Sequence, residues 1–253
     1  MNRKNETLKI IANKPVCPGY NELVLNSPKL ARVSCSGQFF LLSVPGVFLR
    51  RPFSIYSAGK NDIRFLYKII GRGTENLSKM RPGESIRVFG PLGNGYDKRH
   101  AAGRTPFFVA GGTGVASLHF LAKELKKGYL FYGARTKQDL VCLDGFREAG
   151  VKLNIATEDG SAGRKGLVTD LLDQHLSAVD TDEIILYSCG PHAMMEAVAR
   201  LCLKYHVKGF VSLEEMMACG VGNCQGCAVK IGDENRMVCK DGPVFDISEV
   251  NWK

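Results

Sequence analysis

Phe107-Phe108-Val109-Ala110-Gly111-Gly112-Thr113-Gly114 is an apolar strand running into a glycine loop, and Val115 to Lys126 continues it with helical periodicity. Strand, glycine loop and helix is the order that aims backbone N–H groups at an anion on a helix N-terminus. The run is not G-x-G-x-x-G, so alone it does not specify a dinucleotide. The next eighty or so residues decide the fold. Tyr129–Tyr132, Leu153–Thr157 and Glu183–Ser188 read as strands, and Leu140–Ala149, Leu167–His175 and His192–Tyr205 as helices. Strands alternating with helices predict a parallel sheet with helices on both faces over residues 103–210, a Rossmann-like α/β domain. Within it, Cys189-Gly190-Pro191-His192 comes directly after a strand, where open α/β sheets bind ligands. Cys189 suits a place beside a nicotinamide; a buried structural cysteine is the plainer reading.

Upstream, residues 1–102 change character. Leu8–Ile11, Asn21–Leu25, Gln38–Val44, Phe53–Ser57, Ile63–Ile70 and Ser85–Phe89 are short strand candidates. Pro18-Gly19, Gly59-Lys60-Asn61-Asp62 and Pro82-Gly83 separate them as turns, and one helix is expected around Asn76–Met80. Many short strands with regular turns predict a small barrel or sandwich. Arg51-Pro52-Phe53-Ser54 offers a guanidinium fork for a pyrophosphate, an aromatic on the same strand face and a hydroxyl donor. An ordinary barrel strand would look the same. Gly71-Arg72-Gly73-Thr74 precedes the expected helix, as a phosphate-binding turn or simply a glycine turn with Thr74 as cap. Pro91-Leu92-Gly93-Asn94-Gly95 reads as a turn.

Downstream, residues 211–253 are rich in glycine and cysteine and too short for a large core. Cys219, Cys224, Cys227 and Cys239 stand in the spacing C-x4-C-x2-C-x11-C. The first three match the ligand run of plant-type [2Fe–2S] proteins. Gly220, Gly222 and Gly226 permit the turns and close approach that wrapping a cluster needs. Zinc is the rival, but zinc sites more often pair cysteines two and two. Cys17, Cys35, Cys142 and Cys202 are read as structural thiols.

Composition bounds the remaining classes. The 253 residues suffice for two medium domains and an appendage, and 45% hydrophobic content is ordinary for a globular chain. No apolar run reaches membrane-spanning length. The opening MNRKNETLKI is polar, so a cytoplasmic location is the expectation. The formal charge is +9, yet the basic residues are dispersed and no nucleic-acid-binding signature occurs. The five histidines form no catalytic triad or HExxH pattern.

The order R-P-F-S, G-R-G-T, G-G-T-G, C-G-P resembles the ferredoxin–NADP reductase superfamily. Leu213-Glu214-Glu215 before the cysteines and Val238-Cys239-Lys240-Asp241-Gly242-Pro243-Val244-Phe245 at the last of them narrow the resemblance to the family of class 1B dihydroorotate dehydrogenase electron-transfer subunits. The resemblance covers essentially the whole chain and implies an antiparallel β-barrel for flavin followed by the nucleotide-binding α/β domain. It implies FAD on Arg51, Pro52, Phe53, Ser54, Lys68, Ile69, Ile70, Gly73 and Thr74, with Arg51 at the pyrophosphate and Ser54 at flavin N5. Phe53 stands where the superfamily more often has tyrosine. The resemblance further implies NAD on Gly112, Thr113, Gly114, Cys189, Gly190 and Pro191, with Thr157-Glu158-Asp159-Gly160 along the nucleotide cleft. It implies a [2Fe–2S] cluster on Cys219, Cys224, Cys227 and Cys239, and an FMN-containing catalytic subunit as partner in a heterotetramer of pyrimidine biosynthesis. Flavin belongs between a hydride carrier and a one-electron carrier because it exchanges electrons both ways. A subunit of a ferredoxin:NADP+ oxidoreductase or sulfide dehydrogenase is the nearest alternative. A zinc-stabilised or redox-sensing interaction protein is the alternative of another class.

Overall fold

The computed structural model describes residues 4–252. One compact unit runs to Gly95 and takes in Glu214–Val229 and Asn235–Pro243. The other comprises Tyr96–Leu213, Lys230–Glu234 and the residues from Val244 onward. The expected boundary at 102/103 therefore falls at 95/96. The expected third segment, 211–253, is divided between the two units rather than standing alone, because it has too little apolar surface to form its own core.

The first unit is built on β1 (Lys4–Cys17), β2 (Tyr20–Asn26), α1 (Pro28–Val33), β3 (Phe39–Ser43), β4 (Arg51–Ser54), β5 (Ser57–Ala58), β6 (Asp62–Lys68), α2 (Arg72–Ser78) and β7 (Ser85–Leu92). Its sheet is antiparallel, ordered β4-β3-β7-β1-β2-β6-β5. β1 serves two neighbours. Lys4–Lys9 pair with β7, and Ile10–Cys17 pair with β2 after a register shift between Ile10 and Ala12. Leu8 and Ile10 alternate inward, and burying each contributes roughly 1.5–3 kcal/mol. The Ile55 N–H donates to the Gln38 carbonyl and the Tyr56 N–H to the Arg64 carbonyl. The chain thus crosses from one sheet edge to the other at residues 55–56, which curls the sheet into a barrel.

α1 is not among the expected elements, although Ser27 and Pro28 announce it. The Ser27 hydroxyl accepts the Leu30 N–H at 3.3 Å, and Pro28 occupies the first turn. α2 begins at Arg72, earlier than expected. Thr74 lies inside it, at the third position, and caps it from there: its hydroxyl accepts the N–H groups of Ile70 (2.9 Å) and Gly71 (3.3 Å).

The second unit contains β8 (Thr105–Gly111), α3 (Val115–Leu125), β9 (Tyr129–Ala134), α4 (Leu143–Glu148), β10 (Lys152–Thr157), β11 (Arg164–Lys165), α5 (Val168–Leu176), β12 (Ile184–Cys189), α6 (His192–Lys204) and β13 (Lys208–Ser212). The chain then forms the two-stranded ribbon β14 (Ala228–Ile231) and β15 (Glu234–Met237), and ends with β16 (Val244–Asp246). The sheet order is β11-β10-β9-β8-β12-β13-β16, parallel except for β16, which runs antiparallel to β13. β12 is buried along its whole length, as a strand covered on both faces should be. The strand order reverses between β8 and β12, the switch point beyond whose strand ends such sheets take ligands. No helix among the described residues is long and apolar enough to cross a membrane.

Candidate functional site

In the second unit, two motifs far apart in the sequence come together. Ala110 pairs with Cys189, so the glycine loop after β8 and Cys189-Gly190-Pro191 after β12 leave the sheet side by side. A Cβ on Gly114 would collide with the Cys189 carbonyl, and one on Gly111 would stand 2.6 Å from Pro191 Cδ. Gly112 has φ +53 with open space where a Cβ would point, and its carbonyl accepts the Tyr132 hydroxyl at 3.0 Å. The loop is therefore closed towards the protein and free on the other side, which suits a pyrophosphate approaching backbone N–H groups.

Cys189 is fully buried at the end of β12. Tyr96, which belongs to none of the sequence motifs, packs edge-on against Tyr187 at 5.4 Å, with its hydroxyl 3.4 Å from Ser117 Oγ. Burial, then the neighbouring Cys189, holds the Tyr96 phenol neutral far above its ordinary range. Thr157 does not reach outward. Its hydroxyl donates to the Ala162 carbonyl (2.8 Å) and accepts the Ala162 N–H (3.0 Å), shaping the loop after β10.

In the first unit, Arg51 and Gly73 meet. A Cβ on Gly73 would stand 3.2 Å from Arg51 Nε, so the missing side chain lets the guanidinium lie over the start of α2. Arg51 donates to the Leu49 carbonyl at 2.9 Å. Phe53 does not offer an open ring. It is 8% exposed and packs edge-on against Phe65 and Tyr67, because its position on β4 faces the barrel interior. Its contribution is to fix the strand behind Ser54. Lys68 Nζ lies 5.0 Å from the centre of the Tyr20 ring. Ile70, 80% exposed beside the Arg51–Gly73 contact, leaves apolar surface that a flat ring would cover. Cation, glycine turn and exposed apolar side chain together fit a dinucleotide flavin.

The four cysteines also lie in the first unit. Cys227 and Cys239 are buried, Cys219 is half-buried and Cys224 is exposed. Cys219 Sγ accepts the N–H groups of Val221 (3.5 Å) and Cys224 (3.4 Å). Burial acts upward on the Cys219 thiol, but these backbone donors outweigh it and bring it down to about 6. Burial, then a hydrogen bond with Cys227, pushes Cys239 up to about 12. Cys219 interacts with Cys224, and Cys239 with both Cys227 and Cys219, so the four thiols are neighbours of one another. Among the described residues, no set of three or more His, Cys, Asp or Glu groups is placed to hold one metal ion. Gly220 (φ +69) and Gly222 (φ +85) make the turns between Cys219 and Cys224.

Residues 214–251 match the iron–sulfur cluster binding domain of dihydroorotate dehydrogenase B, and residues 108–200 match the oxidoreductase NAD-binding domain. A relative from Caldanaerobacter subterraneus, a dihydroorotate dehydrogenase B (NAD(+)) electron transfer subunit, is 39% identical over 85% of this chain and 86% of its own length. The chain belongs to this family. The subunit of the same name from Clostridium acetobutylicum is 37% identical, over 99% of this chain and 98% of that one. Among solved structures, one of NADH-dependent reduced ferredoxin–NADP oxidoreductase, studied for flavin-based electron bifurcation, has a TM-score of 0.86 at 29% identity. That match covers 100% of this chain and 92% of the other. A ferredoxin NADP+ reductase from Neisseria gonorrhoeae shares the fold, with a TM-score of 0.67 at 18% identity over 80% of this chain and 92% of the other. Members of the dihydroorotate dehydrogenase B family are named as electron-transfer subunits, so a catalytic subunit stands beside them.

Proposed function

We propose that this chain carries electrons from an FMN-containing dihydroorotate dehydrogenase subunit to NAD+, in a cytoplasmic heterotetramer with two copies of each subunit that serves pyrimidine biosynthesis. Cys219, Cys224, Cys227 and Cys239 hold a [2Fe–2S] cluster. Arg51, Pro52, Phe53, Ser54, Lys68, Ile69, Ile70, Gly73 and Thr74 hold FAD. Gly112, Thr113, Gly114, Cys189, Gly190 and Pro191 hold the nicotinamide dinucleotide. When bound, the cluster supplies one-electron exchange and the flavin supplies exchange of either one electron or a hydride.

The residues of the chain do the positioning. Arg51 neutralises phosphate charge over α2, and Phe53 keeps Ser54 fixed by filling the barrel behind it. The backbone of Gly112–Gly114 receives a second pyrophosphate, and the Val221 and Cys224 N–H groups stabilise thiolate at Cys219. One observation carries the reading. Arg51–Ser54 and the cysteine loop border the same strand of one compact unit. Ser54 pairs with Phe39 on β3, and Gly220 stands against Leu41, two residues along that strand, or about 7 Å.

The likeness to the ferredoxin–NADP oxidoreductase structure supports a second reading, with the same machinery and a larger flavin and iron–sulfur partner. The curated relatives, at higher identity, favour the first. Isolation of the native complex separates them. A co-purifying FMN subunit that oxidises dihydroorotate supports the proposal; a partner that reduces ferredoxin defeats it. Within the complex, Cys224→Ser should leave FAD bound and NADH-dependent dye reduction partly intact, while dihydroorotate-dependent NAD+ reduction falls at least roughly a hundredfold. Undiminished NAD+ reduction would remove the cluster from the path.

A further inference from the structure

The turn Pro91–Gly95 looks ordinary in sequence, yet Asn94 at its tip is bound to the last cysteine's loop. The Asn94 N–H donates to the Gly242 carbonyl at 2.6 Å. Its side-chain Nδ2 donates to the Asp241 carbonyl at 2.8 Å and the Lys240 carbonyl at 3.3 Å. Three consecutive carbonyls directly after Cys239 therefore converge on one asparagine. Gly93, at φ +75, makes room for this. A Cβ there would stand 2.5 Å from Pro243 Cδ and 2.7 Å from the Gly242 carbonyl. Gln38, just ahead of β3, holds the turn from behind. Its Nε2 donates to the Gly93 carbonyl at 2.9 Å while its Oε1 accepts the Cys35 N–H at 2.9 Å.

The cysteine loop is also tied to itself. The Asp241 carboxylate accepts the Met237 N–H at 2.7 Å, and the Met237 carbonyl accepts the N–H groups of Lys240 (2.9 Å) and Asp241 (2.7 Å). The Val238 N–H donates to the Cys227 carbonyl at 3.0 Å, joining the third and fourth cysteines. These bonds tie Met237–Gly242 into one turn, and Asn94 fixes where that turn sits on the barrel.

We propose that Asn94 is a positioning residue for the fourth cluster ligand, setting the place of Cys239 through the carbonyls of Lys240, Asp241 and Gly242. The proposal rests on the reading of the four cysteines as cluster ligands. A carboxamide can donate to these carbonyls; a carboxylate of the same size cannot and would repel them. Asn94 is itself exposed, so the barrel core does not depend on it.

The test compares the full chain, purified without oxygen, with its Asn94→Asp and Asn94→Ser variants. Iron, acid-labile sulfide and FAD per chain are measured, together with the low-temperature electron paramagnetic resonance spectrum after dithionite reduction and the rate of iron loss to a chelator. Asn94→Asp should lose iron roughly tenfold faster, with displaced g values and unchanged FAD content. Asn94→Ser, which keeps a donor, should recover part of both changes. An Asn94→Asp chain with the parent spectrum and the parent rate of iron loss overturns the proposal. So does loss of FAD in step with iron in both variants, which would make Asn94 a support of the barrel instead. A parent chain without acid-labile sulfide would overturn the cluster reading itself.

Discussion

Gly114 and Gly220 each occupy a point where a side chain would collide, but they meet different neighbours. Gly114 faces the backbone of Cys189, and its own φ of −58° is ordinary helix. Gly220 faces the tips of Leu41 and Leu92, with φ +69. A backbone carbonyl in a central strand cannot move without breaking the sheet, whereas a leucine tip can change rotamer. The nucleotide loop is thus set by the sheet that carries it. The cysteine loop leans on yielding side chains and takes its shape from glycine conformation and from hydrogen bonds. A site for a dissociable nucleotide is built before the ligand arrives, while a loop around a cluster finishes forming as its ligands bind metal.

Gly114→Ala gives the largest test of this contrast. The added methyl has nowhere to go, so the second unit should lose about 3 kcal/mol of stability, read as a lowered urea midpoint. NADH-dependent dye reduction should fall with it. Near-parent stability would show that the Cys189 backbone yields, and would erase the distinction. Gly220→Ala should cost less, about 1–2 kcal/mol, because the steric part is relieved by turning Leu41 and only the left-handed backbone remains. Its signature should be reduced iron per chain with FAD retained, measured on the same preparation.

The same contrast explains what the sequence can and cannot disclose. Phe107–Gly114 is legible because strand, glycine turn and helix are consecutive, and each residue argues for its own place. The cysteine spacing is legible for the same reason. β13 is not: Lys208–Ser212 has little strand character alone and is buried by pairing with β12 and β16. The joint action of the G-G-T-G and C-G-P motifs depends on β8 and β12 being neighbours, which no local pattern states. Asn94 lies 147 residues from Asp241 in sequence, and a turn asparagine looks alike whether it holds a ligand loop or faces water. Alternation places Phe53 on the strand face of Arg51, but its burial against Phe65 and Tyr67 of β6 is a long-range contact that no local pattern states.

The smallest effect concerns a loop in the nucleotide unit that is held by side chains after all. After β10, Asp159 Oδ1 accepts both the Ser161 N–H (2.9 Å) and the Ser161 hydroxyl (2.6 Å). Ser161 Oγ in turn accepts the Lys137 N–H at 2.7 Å, linking the loops beyond β9 and β10. The Ser161 hydroxyl, then its N–H, holds the Asp159 carboxyl below its ordinary value. A depressed carboxyl supports the folded loop fully above the unfolded value, about 3.9, and loses that support as pH falls below it. Hydrogen exchange, corrected for intrinsic rates, should show the Ser161 and Lys137 amides losing protection in that range while those of β8 keep theirs. Asp159→Asn should abolish the pH response. If β8 loosens in step with Ser161, the centre and the flank of the sheet open together, and the backbone-pinned nucleotide loop is no more rigid than its side-chain-held neighbour.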